Sequence, residues 1–213
     1  MTTVNLEPSQ GFRFSAGRGE VLILACGALA REIVALIELN HWHVFDLRCL
    51  PAKWHNTPDK LVPALRQAIR EERPHYRTIA VAYGDCGTGG MLDVMLAEEG
   101  VERIGGPHCY AFFSGLSDFA GRLDDEATVF YLTDYLVRHF DRLVWQGLGL
   151  DRHPELLPDY FGNYSRLIYL AQTKDAALEK SARAAAAKLA LAYDYRFTGY
   201  GELADFLAAH SAG

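Results

Sequence analysis

The chain of 213 residues lacks the features that mark membrane-spanning, secreted and nucleic-acid-binding proteins. No stretch approaches the roughly 20 consecutive apolar residues that a membrane helix requires. Residues 1–20 contain no basic segment followed by an apolar one, as a secretory signal would. Positive charge is also scarce, since 21 Lys and Arg stand against 27 Asp and Glu, for a net charge of -6. Because nucleic acids are bound by clustered cations, we expect neither a nucleic acid nor a membrane as partner.

Cysteine is sparse too, with four in the whole chain. So few cysteines do not form the dense disulfide framework that stabilises small secreted domains. We therefore expect reduced thiols in a cytoplasmic protein, where metal binding or catalysis is the usual special use of cysteine. Half of the residues are hydrophobic, which is enough for a sizeable folded core.

Short apolar runs alternate with segments of helical periodicity along most of the chain. Residues 21–25 form a continuous apolar run typical of a buried strand, and Leu29, Ile33 and Leu36 follow at helical spacing. The same reasoning predicts strands at residues 44–50, 78–83, 101–104, 128–132, 166–170 and 195–198, and helices at residues 59–72, 91–99, 111–119, 134–145, 154–161, 175–192 and 202–209. This alternation predicts an α/β fold with a doubly wound, mostly parallel sheet.

The domain organisation follows from the same pattern. Residues 1–19 are polar and rich in Gly and Ser, which indicates a loose N-terminal segment with little core. Residues 20–213 are expected to form the α/β domain. Two small Rossmann-like lobes, residues 20–125 and 126–213, fit the pattern equally well.

Three of the four cysteines follow predicted strands at turns marked by Gly or His: Cys26, Cys86 and Cys109. The carboxyl ends of the strands in an open α/β sheet border one crevice, the usual place for a ligand. We therefore expect the three thiols to meet in one metal or reactive-thiol centre. Cys26 and Cys86 each precede a predicted helix, so we expect both to have lowered pKa values. Cys49 lies inside an apolar strand, where a cysteine usually serves as a small hydrophobic residue.

Two histidines are further candidates for this centre. His108 directly precedes Cys109, and His55 follows the second predicted strand at the same edge of the sheet. Zinc takes four ligands and leaves one position open in catalytic sites, so His108 is a candidate fourth ligand and His55 a ligand or catalytic residue. Three cysteines also suit a [4Fe–4S] cluster with one open iron. The choice between zinc and the cluster stays open.

A glycine-rich loop, residues 84–90, lies between a predicted strand and a predicted helix. This is the setting of an anion-binding site at a helix start, although the spacing matches neither common nucleotide-binding motif. Gly84 and Gly87 are expected to let the backbone approach a bound cofactor or metal closely. Asp85 is the one acid in the loop and is a candidate catalytic base, while an ordinary turn aspartate is the alternative.

Several of these motifs together resemble an uncharacterised prokaryotic family catalogued as a domain of unknown function. They are residues 25–27, Leu50-Pro51 with His55 and Pro58, residues 83–87, His108-Cys109 and residues 131–133. Members of that family are often encoded beside corrinoid-dependent methyltransferases and small corrinoid proteins, so the resemblance implies a role in methyl or one-carbon transfer. This chain departs from the family where His108 is directly followed by Cys109, and where Asp134-Tyr135 replaces a glycine-tryptophan pair.

The leading hypothesis is therefore a cysteine-ligated metal protein, with zinc or an iron–sulfur cluster, that serves corrinoid-linked methyl transfer to a small-molecule acceptor. The first alternative is a metal-free enzyme of the racemase or isomerase type that uses paired cysteines as acid and base. The second is a non-catalytic accessory protein that docks on a corrinoid protein or a methyltransferase.

Overall fold

The computed structural model describes residues 10–17, 19–116 and 128–211, and for His55 and Asn56 the backbone alone. These residues form two compact units. The first contains the chain up to Phe112 together with the segment from Gly201 onward, and the second runs from Phe113 to Tyr200. The final helix thus belongs to the first unit, whereas the lobes expected from sequence placed it in the second.

Eight strands form two sheets among the described residues. They are β1 (Phe12–Ser15), β2 (Val21–Cys26), β3 (Phe45–Leu50), β4 (Thr78–Ala82), β5 (Glu102–Arg103), β6 (Val129–Thr133), β7 (Arg166–Ala171) and β8 (Ala192–Phe197). The first unit has the order β1-β3-β2-β4-β5, with β1 antiparallel to β3 and the other neighbours parallel. The second unit has the order β6-β7-β8, all parallel. The predicted mostly parallel α/β class is confirmed.

The helices connect these strands. They are α1 (Ala30–Leu39), α2 (Pro58–Glu72), α3 (Met91–Glu99), α4 (Cys109–Ser114), α5 (Asp134–Arg138), α6 (Leu157–Phe161), α7 (Ala176–Lys188) and α8 (Glu202–Ser211). Short 3-10 helices lie at Gly27–Leu29, Ala52–Asn56 and Pro154–Leu156, and a π-helix at Asp141–Trp145. The predicted helix at 134–145 is thus divided in two, and the predicted helix at 111–119 extends partly beyond the described residues. No helix in the described part of the chain is long and apolar enough to span a membrane.

Strand β1 lies within residues 1–19, which we expected to be a loose segment. Phe12 and Phe14 are half-buried while Arg13 and Ser15 are exposed, and this alternation is the period of a strand with one covered face. Only four residues take part, so the signal was too short to stand out in a polar segment. The first nine residues of the predicted loose segment, and residue 18, lie outside the described part.

The first unit has a reversal of strand order between β2 and β4. The chain runs from β2 through α1 to β3, and then returns past β2 to β4. Because parallel crossovers are right-handed, α1 covers one face of the sheet and α2 and α3 the other. With helices on both faces, every residue of β2 is buried. The carboxyl ends of β2 and β4 border the point of reversal, where α/β proteins usually bind their ligands.

The second unit depends on a buried carboxylate, Asp134, at the end of β6. Its side chain is 1% exposed and accepts hydrogen bonds from the Tyr169 hydroxyl at 2.7 Å and from the backbone N–H groups of Gln172 and Thr173 at 3.0 and 3.1 Å. The Gln172 side chain in turn accepts from the Asp134 N–H at 2.8 Å. These bonds join the carboxyl end of β6 to the loop that follows β7, while Thr133 caps α5 by accepting from Leu136 N–H.

We expect Asp134→Ala to lower the free energy of unfolding by about 3 kcal/mol, because several buried donors lose their acceptor at once. Asp175→Ala is the matched control, since Asp175 is exposed and only caps α7, which is worth about 1 kcal/mol. Urea denaturation followed by circular dichroism measures both. Equal losses would contradict the role given to Asp134.

Candidate thiol site at the carboxyl ends of β2 and β4

Cys26 and Tyr83 lie side by side at the carboxyl ends of β2 and β4, two inner strands of the first sheet. Ala25 pairs with Ala82 in the parallel ladder of β2 and β4, so the next residue on each strand, Cys26 and Tyr83, continue that register. Neighbouring residues in register face the same side of a sheet. Cys26 is 7% and Tyr83 is 2% exposed. The end of β2 and the end of β4 therefore meet in a buried contact between a thiol and a phenol.

The loop after β4 is attached to the segment that carries His108 and Cys109. Asp85 N–H donates to the Gly106 carbonyl at 3.1 Å and Cys86 N–H to the Pro107 carbonyl at 2.7 Å. A Cβ atom at Gly84 would lie 2.6 Å from the His108 Cα, which no side chain tolerates. Only glycine permits this approach of the two backbones, and the approach brings Cys86 toward Cys109.

Arg103, which sequence reasoning missed, supports both segments. Its guanidinium forms an ion pair with Asp93, with Nη2 at 2.9 Å from a carboxylate oxygen. The other terminal nitrogen donates to the carbonyls of Ile104 and Gly106 at 2.8 and 3.2 Å, and to that of Tyr83 at 3.4 Å. An arginine in a two-residue strand gives no sequence signal for this role, because the carbonyls that it binds come from separate segments.

The carboxylate of Asp85 organises the glycine-rich loop. It accepts hydrogen bonds from the Thr88 hydroxyl and from the N–H groups of Gly89 and Gly90, the latter two at 3.1 and 2.9 Å. Burial raises the pKa of Asp85, but these bonds outweigh it and the pKa lies below its ordinary value. The N–H groups of Gly89 and Gly90 thus already hold an anion, which disfavours phosphate binding there. A lowered pKa also makes Asp85 a weak base, and its catalytic role stays a prediction.

The prediction of lowered pKa values at Cys26 and Cys86 is wrong. Burial raises the pKa of Cys26 to about 11 and that of Cys86 to about 12, and it raises the pKa of Cys109 well above the ordinary value. Backbone N–H groups, from Ala28 toward Cys26 and from Gly84 toward Cys86, act in the opposite direction. They are outweighed because the charged form of a buried thiol loses its hydration. The thiols are therefore neutral in the protein alone.

The three thiols also act on one another. After burial, the charge of Cys26 is the next cause that raises the pKa of Cys86, and the charges of Cys86 and Cys26 are the next causes at Cys109. Cys49 takes part in the same way, since the charge of Cys26 is the next cause after burial that raises its pKa. Cys86 and Cys109 keep some exposed surface, whereas Cys26 and Cys49 are buried. Among the described side chains, no group of three or more His, Cys, Asp and Glu is close enough to hold a metal ion. A ligand role for the cysteines stays a prediction.

Cys86 has an unusual backbone conformation. Its φ angle is 50°, in the left-handed region, where a Cβ atom costs roughly 1–2 kcal/mol and glycine has no such cost. The bond to Pro107 and the Asp85 carboxylate hold the loop in this form. A residue other than glycine at such a position points to a use for its side chain.

The remaining predicted site residues are placed as follows. His55 lies in the 3-10 helix directly after β3, and its side chain lies outside the described residues. His108 is partly exposed, and its ring packs edge to face on Tyr110 with centroids 5.0 Å apart. Gly87 adopts φ +78. The buried Glu32 of α1 also contributes to the raised pKa of Cys109, after burial and the other thiols. The sequence analysis did not predict a role for Glu32, because nothing in the sequence distinguishes it from an ordinary helix residue.

A comparison with protein families identifies one match. A family model described as a protein of unknown function, DUF1638, matches residues 49–207, most of the chain. The match includes Cys86 and Cys109 and begins after Cys26. No curated protein and no solved structure matches the chain. The resemblance to a family of unknown function is confirmed, while the expected gene neighbourhood stays a prediction.

We expect Gly84→Ala to lower the free energy of unfolding by about 3 kcal/mol, because the new Cβ would overlap the His108 backbone. Gly89→Ala is the control: its Cβ would meet no atom within 4 Å, and only the left-handed φ of +61° costs about 1 kcal/mol. Denaturant midpoints compare the two. A smaller loss for Gly84→Ala than for Gly89→Ala would refute the close approach.

The strain at Cys86 predicts an order of stability between two variants that both lack the thiol. Cys86→Gly should be more stable than Cys86→Ala by about 1 kcal/mol, since alanine retains the Cβ that the left-handed conformation disfavours. Thermal unfolding followed by circular dichroism tests the order, and a more stable Cys86→Ala would show that Cys86 is not strained.

Proposed function

Because the chain belongs to the DUF1638 family of proteins of unknown function, its activity must be inferred from its site, and we propose that it is a cysteine-ligated zinc protein for methyl transfer. Cys26, Cys86 and Cys109 would hold the ion. The methyl group would pass from the cobalt of a methylated corrinoid protein to the sulfur of a small thiol acceptor, which would give up its proton, and the electrons of the broken cobalt–carbon bond would stay on the cobalt as cobalt(I). The cytoplasm is the compartment that suits this proposal, since all four cysteines are free and must stay reduced.

One observation carries the proposal: Cys26 ends β2 at the reversal of strand order, and main-chain hydrogen bonds attach the loop of Cys86 to the segment that precedes Cys109. Thiolates are the ligands that zinc and iron–sulfur clusters prefer. The donor types therefore fit a soft metal centre. No group of three or more such side chains in the described part of the chain could hold an ion as it stands, so binding would require the side chains to move.

The neutral state of the thiols does not oppose metal binding. A coordinating metal ion removes the thiol proton outright, and burial then favours a neutralised, ligated sulfur over a bare thiolate. His108 and the buried Glu32 are the candidates for a fourth ligand, because one adjoins Cys109 and the other acts on it electrostatically. When bound, such a zinc ion with an open position would supply a Lewis acid that favours ionisation of an acceptor thiol.

Residues of the chain itself would support this site in two ways: by excluding water from it and by holding its loops in place. Burial of Cys26 and Tyr83 keeps water from the inner side, while the partly exposed Cys86 and Cys109 leave an outer side open to an acceptor. Asp85 and Arg103 hold the two loops in place. The corrinoid donor is supported by the family resemblance alone, and the same thiols would also hold a [4Fe–4S] cluster.

A second candidate function is acid–base catalysis by the thiols of Cys86 and Cys109 without a metal. The observation that favours it is that both thiols are partly exposed and that the charge of Cys86 raises the pKa of Cys109. If one thiol lost its proton when a substrate binds, the other would keep its own, which would give one base and one acid. A racemase or isomerase uses one thiol as acid and a second as base.

Elemental analysis of the anaerobically purified chain tests the proposal. We expect about one zinc per chain in the wild type, and loss of most of it in Cys26→Ser, Cys86→Ser and Cys109→Ser, since a hydroxyl is a poor ligand for zinc. Cys49→Ser serves as a comparison: Cys49 is buried inside β3, but Cys26 is the next cause after burial that raises its pKa, so loss of metal in this variant would add a fourth thiol to the site.

Each result decides between the candidates. Iron with a brown visible spectrum would assign the cluster instead of zinc. Metal retained in all three serine variants would refute ligation by these cysteines. A wild-type chain free of zinc and iron would refute the metal centre and favour the thiol pair.

A further inference from the structure

Strand β8 forms an open edge of the second sheet. It pairs with β7 on one side, and among the described residues its other side has no main-chain hydrogen bond. None of its six residues is buried, whereas β7 is buried from its second residue onward. An open edge presents a row of unpaired N–H and C=O groups to any strand that approaches it.

This edge lacks most of the features that prevent strands from pairing. Proteins usually protect an open edge with lysine, proline, a bulge or a very short strand. Strand β8 has six residues with neither lysine nor proline, and it keeps register with β7 along its whole length. Its two charged residues, Asp194 and Arg196, have opposite signs, so they repel another strand only in a register that brings like charges together. Phe197 at the end of the strand is 49% exposed.

The outward main-chain groups of β8 belong to its aromatic residues. The Ala192 N–H donates to the Ser165 carbonyl at 3.3 Å, on the side of β7. The main-chain groups of successive residues point to alternate sides of a strand, so the even-numbered residues of β8 bond toward β7. Tyr193, Tyr195 and Phe197 therefore direct their N–H and C=O groups outward.

We propose that two copies of this chain associate through β8, with the two strands antiparallel about a twofold axis at Tyr195. In this register Tyr195 faces Tyr195 of the second copy, and Tyr193 faces Phe197 of the second copy on both sides of the axis. Each of these pairs exchanges two main-chain hydrogen bonds, and the two sheets become one. The same patch serves both copies, as twofold interfaces require. This inference concerns the second unit and does not depend on the thiol site.

The charges of β8 select this register. Asp194 and Arg196 lie on the same face of the strand, where a carboxylate oxygen is 3.4 Å from the arginine Nε. An axis at Tyr195 brings each Asp194 opposite Arg196 of the second copy, in pairs without main-chain bonds, whose side chains lie closest. An axis at Asp194 or at Arg196 would oppose two like charges and would lose one pair of outward residues. Charge and hydrogen bonding thus favour the same arrangement.

Sedimentation equilibrium of the full chain over a series of concentrations tests this arrangement. We expect the wild type to form a dimer, and Asp194→Arg and Arg196→Asp each to dimerise about tenfold more weakly, because each brings like charges together across the axis. A mixture of the two single variants should dimerise as tightly as the wild type, since each chain supplies the charge that the other lacks. The variant with both changes should also dimerise like the wild type.

Asp141→Arg is the matched control. It makes the same change of charge and also breaks an exposed ion pair, with Lys188 at 2.8 Å, but Asp141 lies in the π-helix and not in a strand. We expect its dimerisation to equal that of the wild type. Thermal unfolding followed by circular dichroism should give similar midpoints for all the variants, because exposed ion pairs contribute little to stability.

The remaining outcomes would overturn the inference. A wild type that stays monomeric at every concentration would refute the association. A dimer that both single variants leave unchanged would show that another surface forms it. A mixture as weak as the single variants would refute the antiparallel register, and assemblies that keep growing with concentration would indicate a head-to-tail contact between unlike edges.

Discussion

The contact between the Gly84 backbone and the segment at Pro107 and His108 is the constraint on which the thiol site depends. Two main-chain hydrogen bonds and the absence of a side chain at Gly84 allow the loop after β4 and the start of α4 to lie together. Arg103 reinforces the contact through carbonyls on both segments. Without this approach, Cys86 and Cys109 would have no reason to lie near Cys26. The absence of a side chain at Gly84 thus allows the loop after β4 and the segment before Cys109 to lie together.

The balance between burial and charge decides the state of the site. Helix starts and turn N–H groups favour thiolates, but the loss of hydration at Cys26, Cys86 and Cys109 is larger, so the thiols are neutral. A negative charge on any of these sulfurs is therefore costly in the folded chain, because burial removes the water that would stabilise it.

The two acidic groups at strand ends illustrate how similar motifs serve different purposes. Asp85 in the first unit and Asp134 in the second both follow a strand and both accept backbone N–H groups. Asp134 is fully enclosed and joins two strand ends, whereas Asp85 shapes a loop beside the thiols. The sequence does not distinguish these two roles, because the partners of each carboxylate depend on how the loop folds.

Local sequence patterns were enough to predict the class of the fold. Apolar runs and helical spacing are local properties, so every strand except β1, most helices and the parallel α/β arrangement followed from them, and so did the position of Cys26, Cys86 and Cys109 at or after strand ends. Only the tertiary structure decided the strand order, the raised thiol pKa values and the parts played by Tyr83, Glu32 and Arg103. Desolvation is a sum over atoms from distant segments, and a register neighbour or a carbonyl partner exists only once those segments have met.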